Sequence, residues 1–307
     1  MKESEENNEV VQPPNGKKAF SKHTAEDYRE FFLRGLDSRS GLNANTPWLY
    51  LRAFAVCLII FALFVFAVFM TGKFIYDGAI EYFAYPSLLV AGGVIVNLPV
   101  LIFIYELYPA RDLSFIKLCF IMIVCTVIAD LCVSLGYCAW MPANEWISVG
   151  WTAVLEETSK AVPALLTIFL LKQRNPLFGF LIGGAVGVGM SISEDMGYLF
   201  IASWENGVDI PVFLLVTLLR SVTSLAGHVI WTGLIGWAFV KFRRPLLNFK
   251  FWIFCLFSGA LHYLFDFPYE KLSALFLIAS VVAALFVAER IVRKERKAVF
   301  AAANESL

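Results

Sequence analysis

The stretch WTAVLEETSK, Trp151–Lys160, places Glu156, Glu157 and Lys160 inside an otherwise apolar segment that runs to Leu171. The segment is long enough to cross a bilayer, for which about 20 apolar residues suffice. Charged side chains inside a membrane helix are costly, and they mark either a function or a buried pairing. The stretch therefore indicates a membrane protein and raises the question of where these charges find partners.

The composition of the whole chain agrees with a membrane protein. Of its 307 residues 59% are hydrophobic and 16% are charged, and the mean hydropathy is +0.70. A soluble domain carries about a quarter charged residues. We predict an all-α, polytopic membrane protein with about eight transmembrane helices around a polar intramembrane cavity. Its expected surroundings are the lipid bilayer, and no nucleic-acid partner is expected.

Three regions are predicted along the chain. Residues 1–47 form a cytoplasmic tail with an interfacial helix at 24–36, residues 48–292 form the transmembrane domain, and residues 293–307 form a cytoplasmic C-terminal tail. The sixth span is long, and a tilt, a projection beyond the bilayer or a break near Gly227 would each account for it. The predicted spans are 48–70, 83–105, 116–141, 147–171, 177–203, 211–241, 249–267 and 272–292.

The basic residues predict the orientation. Most of the 25 lysines and arginines fall in the N-terminal tail, in the even-numbered loops or at the C-terminal end. Loops rich in lysine and arginine stay on the cytoplasmic side. Both termini are therefore predicted to be cytoplasmic. The alternation holds at every loop, which also supports the number of spans.

Four predicted spans carry polar groups at a similar depth. Glu156 and Glu194 each lie roughly 14 Å from the outer end of their segments, at 1.5 Å per residue. His228 and His262 also fall in the outer half of the bilayer. We predict that these groups face one another in a single site. Its other members are Glu157, Lys160, Asp195, Arg220 and Asp266.

A buried set of acids and bases can be purely structural or can form a proton path. Two glutamates, a third on another helix and two of the three histidines at one depth favour catalysis instead. Arg220 is expected to neutralise the acidic cluster, and Asp266, four residues after His262, to hold that imidazole in one tautomer. The role of Asp195 is more ambiguous, because it points about 100° away from Glu194.

Four motifs resemble those of the PrsW family of intramembrane proteases. EETSK resembles the EExxK motif, GAVGVGMSISEDMGYL the glycine-rich segment, LLRSVTSLAGHVIWTGLIGWA the Arg-to-His helix, and LHYLFD the last histidine motif. The resemblance covers a protease-like core at roughly 147–267. Asp195 stands where the family usually has Asn, and Met190 where it usually has Phe. The family is similar to the type II CAAX prenyl endopeptidases and to the Aph-type subunit of gamma-secretase.

The resemblance implies cleavage of a membrane-anchored protein near its extracytoplasmic face, for example site-1 cleavage of an anti-sigma factor. It also implies an integral protein of the bacterial cell membrane. Catalysis would fall to Glu156, Glu157, Glu194, His228 and His262, with Lys160, Arg220, Asp266 and Asp195 in support.

Two mechanisms are open. In one, a glutamate, Glu156 by resemblance to the CAAX enzymes, is the general base, and a histidine stabilises the oxyanion. In the other, zinc lies between His228, His262 and Glu194, with a glutamate of the fourth span as base. The cofactor is thus none or zinc, and the absence of tight ligand spacing slightly favours none.

Two other functions remain alternatives. A non-catalytic membrane scaffold would keep the buried polar residues without hydrolysing anything. A proton-coupled transporter would use the same Glu/His cluster to carry protons, and such proteins show paired repeats with broken helices.

Overall fold

The computed structural model describes residues 49–74, 85–110, 112–206, 210–223 and 227–305, together with Arg29. The predicted N-terminal tail and its interfacial helix at 24–36 lie outside the described residues, apart from Arg29. The described part of the chain contains helices and no strand, which confirms the all-α class.

Nine α-helices lie in the described ranges, and a short 3₁₀ turn at Pro245–Leu247 precedes the eighth. The helices are α1 (Leu49–Phe74), α2 (Tyr85–Leu107), α3 (Phe115–Ala139), α4 (Glu145–Leu171), α5 (Pro176–Asn206), α6 (Ile210–Thr223), α7 (His228–Lys241), α8 (Phe249–Phe265) and α9 (Glu270–Glu305).

Five of the described helices are long and apolar enough to cross a membrane. They contain Leu51–Met70, Tyr85–Leu107, Phe115–Ala139, Pro176–Ala202 and Lys271–Ala302. The other described helices are shorter or, in α4, carry the charges of the opening stretch. The chain is a polytopic membrane protein, whereas the number of eight spans stays a prediction.

The predicted sixth span consists of two helices. α6 ends at Thr223 and α7 begins at His228, with Gly227 at φ −78° and ψ −110° as its N-cap. The carbonyl of Gly227 accepts the backbone N–H groups of Ile230 and Trp231, so it begins the hydrogen-bond ladder of α7. This division puts His228 at the first position of a helix.

The last helix is longer than predicted. α9 continues past residue 292 to Glu305, so most of the predicted C-terminal tail is helical. Contacts with neighbouring helices explain the extension. The buried carboxylate of Glu295 pairs with Lys241 Nζ at 2.7 Å, and Arg296 Nη1 donates to the carbonyl of Leu107 at 2.7 Å.

α5 is the central helix, and it packs most extensively against α7. Three glycines on its inner face allow the backbones of α5 and α7 to contact each other directly. A Cβ at Gly179, Gly183 or Gly187 would collide with the carbonyl oxygen of Gly236, Thr232 or His228, respectively. Small residues allow such close contact between membrane helices. The packing fixes the start of α7 beside the middle of α5.

Candidate active site

α4 supplies the first part of the site. Glu157 and Lys160 are buried, whereas the side chain of Glu156 keeps 14% of its exposure. Lys160 Nζ lies 2.7 Å from Glu157 Oε1 and 3.8 Å from Glu156 Oε2. Residues three and four apart share one face of a helix, so these contacts follow from the spacing in the sequence.

His228 joins α4 to α5. Its Nδ1 lies 2.6 Å from Lys160 Nζ, and its Nε2 lies 2.8 Å from Glu194 Oε2. A lysine ammonium has only donors, so Nδ1 is the acceptor of that bond. The remaining ring proton is then on Nε2 and is donated to Glu194. The two contacts together select one tautomer of the imidazole.

His262, on α8, lies next to His228, with the ring centroids 5.3 Å apart. Its Nδ1 is 2.9 Å from Glu157 Oε1, and its Nε2 is 3.1 Å from Asp266 Oδ2 and 3.8 Å from Glu156 Oε2. The imidazole stacks on Trp231, with ring centroids 4.7 Å apart and the planes at 23°. The carboxylates and the indole hold this ring from three sides.

Arg220, on α6, pairs with both carboxylates of α5 that belong to the site. Its Nη2 donates to Glu194 Oε2 at 2.7 Å, and its Nε donates to Asp195 Oδ1 at 2.7 Å. Asn97 Nδ2 on α2 donates to the second oxygen of Asp195 at 2.8 Å. Asp195 therefore fixes the guanidinium, and the guanidinium fixes the carboxylate that contacts His228.

The structure brings together all nine residues that the sequence predicted for the site. It arranges them differently from the predicted zinc set of His228, His262 and Glu194. The donor atoms that lie within 4.8 Å of one another belong to Glu156, His228 and His262. Glu194 instead contacts His228 from the side of Nε2 and pairs with Arg220.

Glu156, His228 and His262 have the side chains that zinc prefers as ligands. Two imidazoles and one carboxylate are a common catalytic zinc set, and a carboxylate on the second ring nitrogen usually orients each histidine. Glu157 and Glu194 stand in that position. In addition, Glu157 Oε2 is buried with no hydrogen-bond partner among the described residues. Zinc would take the place of Lys160 at His228 Nδ1 and of Asp266 at His262 Nε2, so both side chains would move aside when the ion binds.

Three further residues contact the site and were not predicted from the sequence. Asn97 is fully buried against Asp195, and its position as a polar residue inside an apolar span was a usable signal. Trp231 follows His228 by three residues, which places both on one face of α7. Tyr137, whose hydroxyl lies 3.4 Å from Glu156 Oε1, gave no signal, because aromatic residues are common in membrane helices.

The comparison with known families gives one match. The model of the family described as PrsW family intramembrane metalloprotease matches residues 113–289, which is more than half of the chain and includes the predicted core at 147–267. No curated protein and no solved structure matches the chain.

Proposed function

The chain belongs to the PrsW family of intramembrane metalloproteases, and from this premise we propose that it cleaves a membrane-anchored protein near its extracytoplasmic face. The reaction is hydrolysis of a peptide bond inside the membrane. The proposed mechanism activates a water molecule at the cluster of Glu156, His228 and His262.

The convergence of Glu156, His228 and His262 from three helices carries this proposal. Their donor atoms lie within 4.8 Å of one another, although 72 residues or more separate Glu156 from either histidine in the sequence. Each histidine has a carboxylate on a ring nitrogen, from Glu157 or Glu194. A purely structural ion pair does not require two imidazoles oriented in this way.

The charge balance supports a bound cation. Two basic side chains, Lys160 and Arg220, face a larger set of carboxyl groups. Uncompensated charge is expensive in a low-dielectric interior. A divalent cation would offset the excess of negative charge. The carboxyl groups are those of Glu156, Glu157, Glu194, Asp195 and Asp266.

We therefore propose zinc as the cofactor, with Glu156, His228 and His262 as its ligands. Zinc bound there would supply a Lewis acid and an activated water. Glu157 orients His262, Glu194 orients His228, and Arg220 holds Glu194 in place. Asp195, through Arg220, and Asp266, at His262 Nε2, complete the support.

The depth of the site supports the choice of substrate. With both termini in the cytoplasm, α4 begins at the outer face, and Glu156 lies eleven residues, or about 16 Å, from Glu145. The bond to be cut then lies in the outer half of the bilayer. This position suits site-1-type cleavage of a membrane-anchored protein, such as an anti-sigma factor, in a bacterial cell membrane.

The test compares three purified proteins with a panel of fluorescent single-span substrates in detergent. They are the wild type, Glu156→Gln and the control Glu145→Gln, which makes the same change at the exposed start of the same helix. We expect Glu156→Gln to lose at least about 100-fold in kcat/KM, because the variant lacks either a metal ligand or the general base. A loss of about 100-fold is the lower end of what a general base contributes. The control should keep wild-type activity.

A chelator separates the two mechanisms. We expect it to abolish cleavage by the wild type and added zinc to restore cleavage. Cleavage that resists the chelator but is lost in Glu156→Gln would indicate the metal-free mechanism, with Glu156 as general base. Equal cleavage by Glu156→Gln and the wild type would remove Glu156 from both mechanisms.

A further inference from the structure

A cavity of about 780 Å³ opens between α2, α5, α7 and α9, separate from the cluster of histidines and carboxylates. Its volume is within the range of about 300–1,000 Å³ that is typical of ligand sites. Its walls are almost entirely apolar. They include Val100, Phe103, Phe180, Val229, Ile230 and Leu285.

The mouth of this cavity is basic. Arg293, Arg296 and Lys297 of α9 line it, together with the single carboxylate of Glu289. Arg293 pairs with Glu289, and Lys297 is exposed. Arg296 Nη1 donates to the carbonyl of Leu107, where α2 ends. The cations are therefore placed at the end of a membrane helix, where the apolar layer meets water.

The apolar part of the cavity, from Leu285 to the cations of α9, is about half as long as the apolar core of a bilayer is thick. Eleven residues of α9 separate Leu285 from Arg296, which corresponds to roughly 16 Å along a helix. The apolar core of a bilayer is about 30 Å thick. The cavity thus matches one leaflet in depth, with its cations at the level of the headgroups.

We propose that this cavity binds an anionic phospholipid, with the phosphate at Arg293, Arg296 and Lys297 and an acyl chain against the apolar walls. Basic pockets between transmembrane helices bind anionic headgroups. The same lysines and arginines place this end of α9 on the cytoplasmic side. The lipid accordingly comes from the cytoplasmic leaflet.

The lipid would contact the helix that carries a site histidine. Val229 and Ile230 line the cavity, and they directly follow His228 at the start of α7. Leu107, which holds Arg296, ends the helix that also carries Asn97. Occupancy of the cavity therefore stabilises two of the helices that position the site.

The test measures lipid binding to the full chain by native mass spectrometry in detergent. The probes are phosphatidylglycerol and phosphatidylcholine with identical acyl chains. We expect the wild type to bind phosphatidylglycerol more tightly than phosphatidylcholine. Arg293→Gln combined with Lys297→Gln should weaken phosphatidylglycerol binding by roughly 30-fold, from the attraction of two cations.

The matched control is Arg290→Gln combined with Lys294→Gln. It removes the same charge from exposed positions of the same helix that do not line the cavity. We expect this control to lose less than about threefold, since the remaining attraction is screened. Equal losses in the two double variants would overturn the proposal, because binding would then depend on the general charge of α9.

A third variant tests the apolar part independently of charge. Ala288→Trp would place an indole against the apolar walls of the cavity and keep every cation at its mouth. We expect it to lose phosphatidylglycerol binding while its thermal unfolding in detergent stays close to that of the wild type. Undiminished binding by Ala288→Trp, or equal affinity of the wild type for both lipids, would contradict the proposal.

Discussion

α1 and α5 are both long, apolar helices, yet they occupy opposite environments. α1 is the more apolar of the two, and most of its described side chains are exposed at the surface. α5 contains glycines, serines and three acidic residues, and most of it is buried. In a soluble protein the more apolar helix would be inside. Here the order is reversed.

The difference follows from the solvent. Lipid tails are as apolar as leucine, so leucine and phenylalanine gain little by leaving them. Glycine gains close packing, and charged groups gain partners, only in the interior. Burial in this protein is therefore predicted by small and polar residues.

The largest effect is expected at the glycine face of α5. Gly183→Ala would push a methyl group into the carbonyl oxygen of Thr232, and backbone atoms cannot move aside easily. We expect a loss of about 3 kcal/mol in the free energy of unfolding, the upper end for overpacking. Equilibrium unfolding in detergent measures it.

Gly197→Ala is the matched control for this prediction. The position is exposed on the same helix, and a Cβ there has nothing within 4 Å. Alanine favours a helix by about 1 kcal/mol over glycine, so this variant should be slightly stabilised. Similar losses at both positions would mean that the contact between α5 and α7 is not the cause.

An intermediate effect is expected at the polar end of α5. Asn97 Nδ2 donates to the carbonyl of Gly93 and to Asp195, so Asp195→Leu would leave one of its two N–H groups without an acceptor. It would also remove one of the ion pairs of Arg220. We expect a loss of about 2 kcal/mol, which is typical of an unsatisfied buried donor. Asp195→Asn keeps an acceptor and should lose less than about 1 kcal/mol by the same unfolding measurement.

The result for Asp195→Asn would separate the contribution of the negative charge of Asp195 from that of its hydrogen bonds. If asparagine were as damaging as leucine, the negative charge of Asp195 would matter more than its hydrogen bonds.

The smallest effect is expected on α1. The side chain of Phe66 is 61% exposed, so Phe66→Leu exchanges one apolar lipid-facing group for another. We expect a change within about 0.5 kcal/mol, as for surface substitutions elsewhere. A loss as large as that of Asp195→Leu would show that this face of α1 contacts protein instead of lipid.

Much of the fold was accessible from the sequence, because hydropathy and periodicity are local properties. Eight apolar segments were predicted, and each one overlaps helix in the structure. The break near Gly227 was one of three alternatives that the sequence left open for the sixth span, and the structure divides the span there into α6 and α7. The extension of α9 to Glu305 was not predicted, because it depends on contacts with the distant residues Lys241 and Leu107.

The membership of the site was predictable, whereas its internal arrangement was not. Depth along each helix brought the polar residues to one layer, and the structure assembles them there. Depth does not determine which carboxylate faces which histidine, because that depends on the rotation of each helix. Glu156, rather than Glu194, therefore joins both histidines, since α4 packs against both α7 and α8.

Lys160 and Glu157 both pair with histidines far along the chain, and this has a consequence for biosynthesis. Their partners His228 and His262 lie 68 and 105 residues later in the chain. At a synthesis rate of about 5–20 residues per second, α4 exists for several seconds before either histidine has been made. During that time α4 can neutralise part of its charge by itself, through the contact between Glu157 and Lys160, which are three residues apart. The EETSK stretch thus contains part of what its own insertion into the membrane requires.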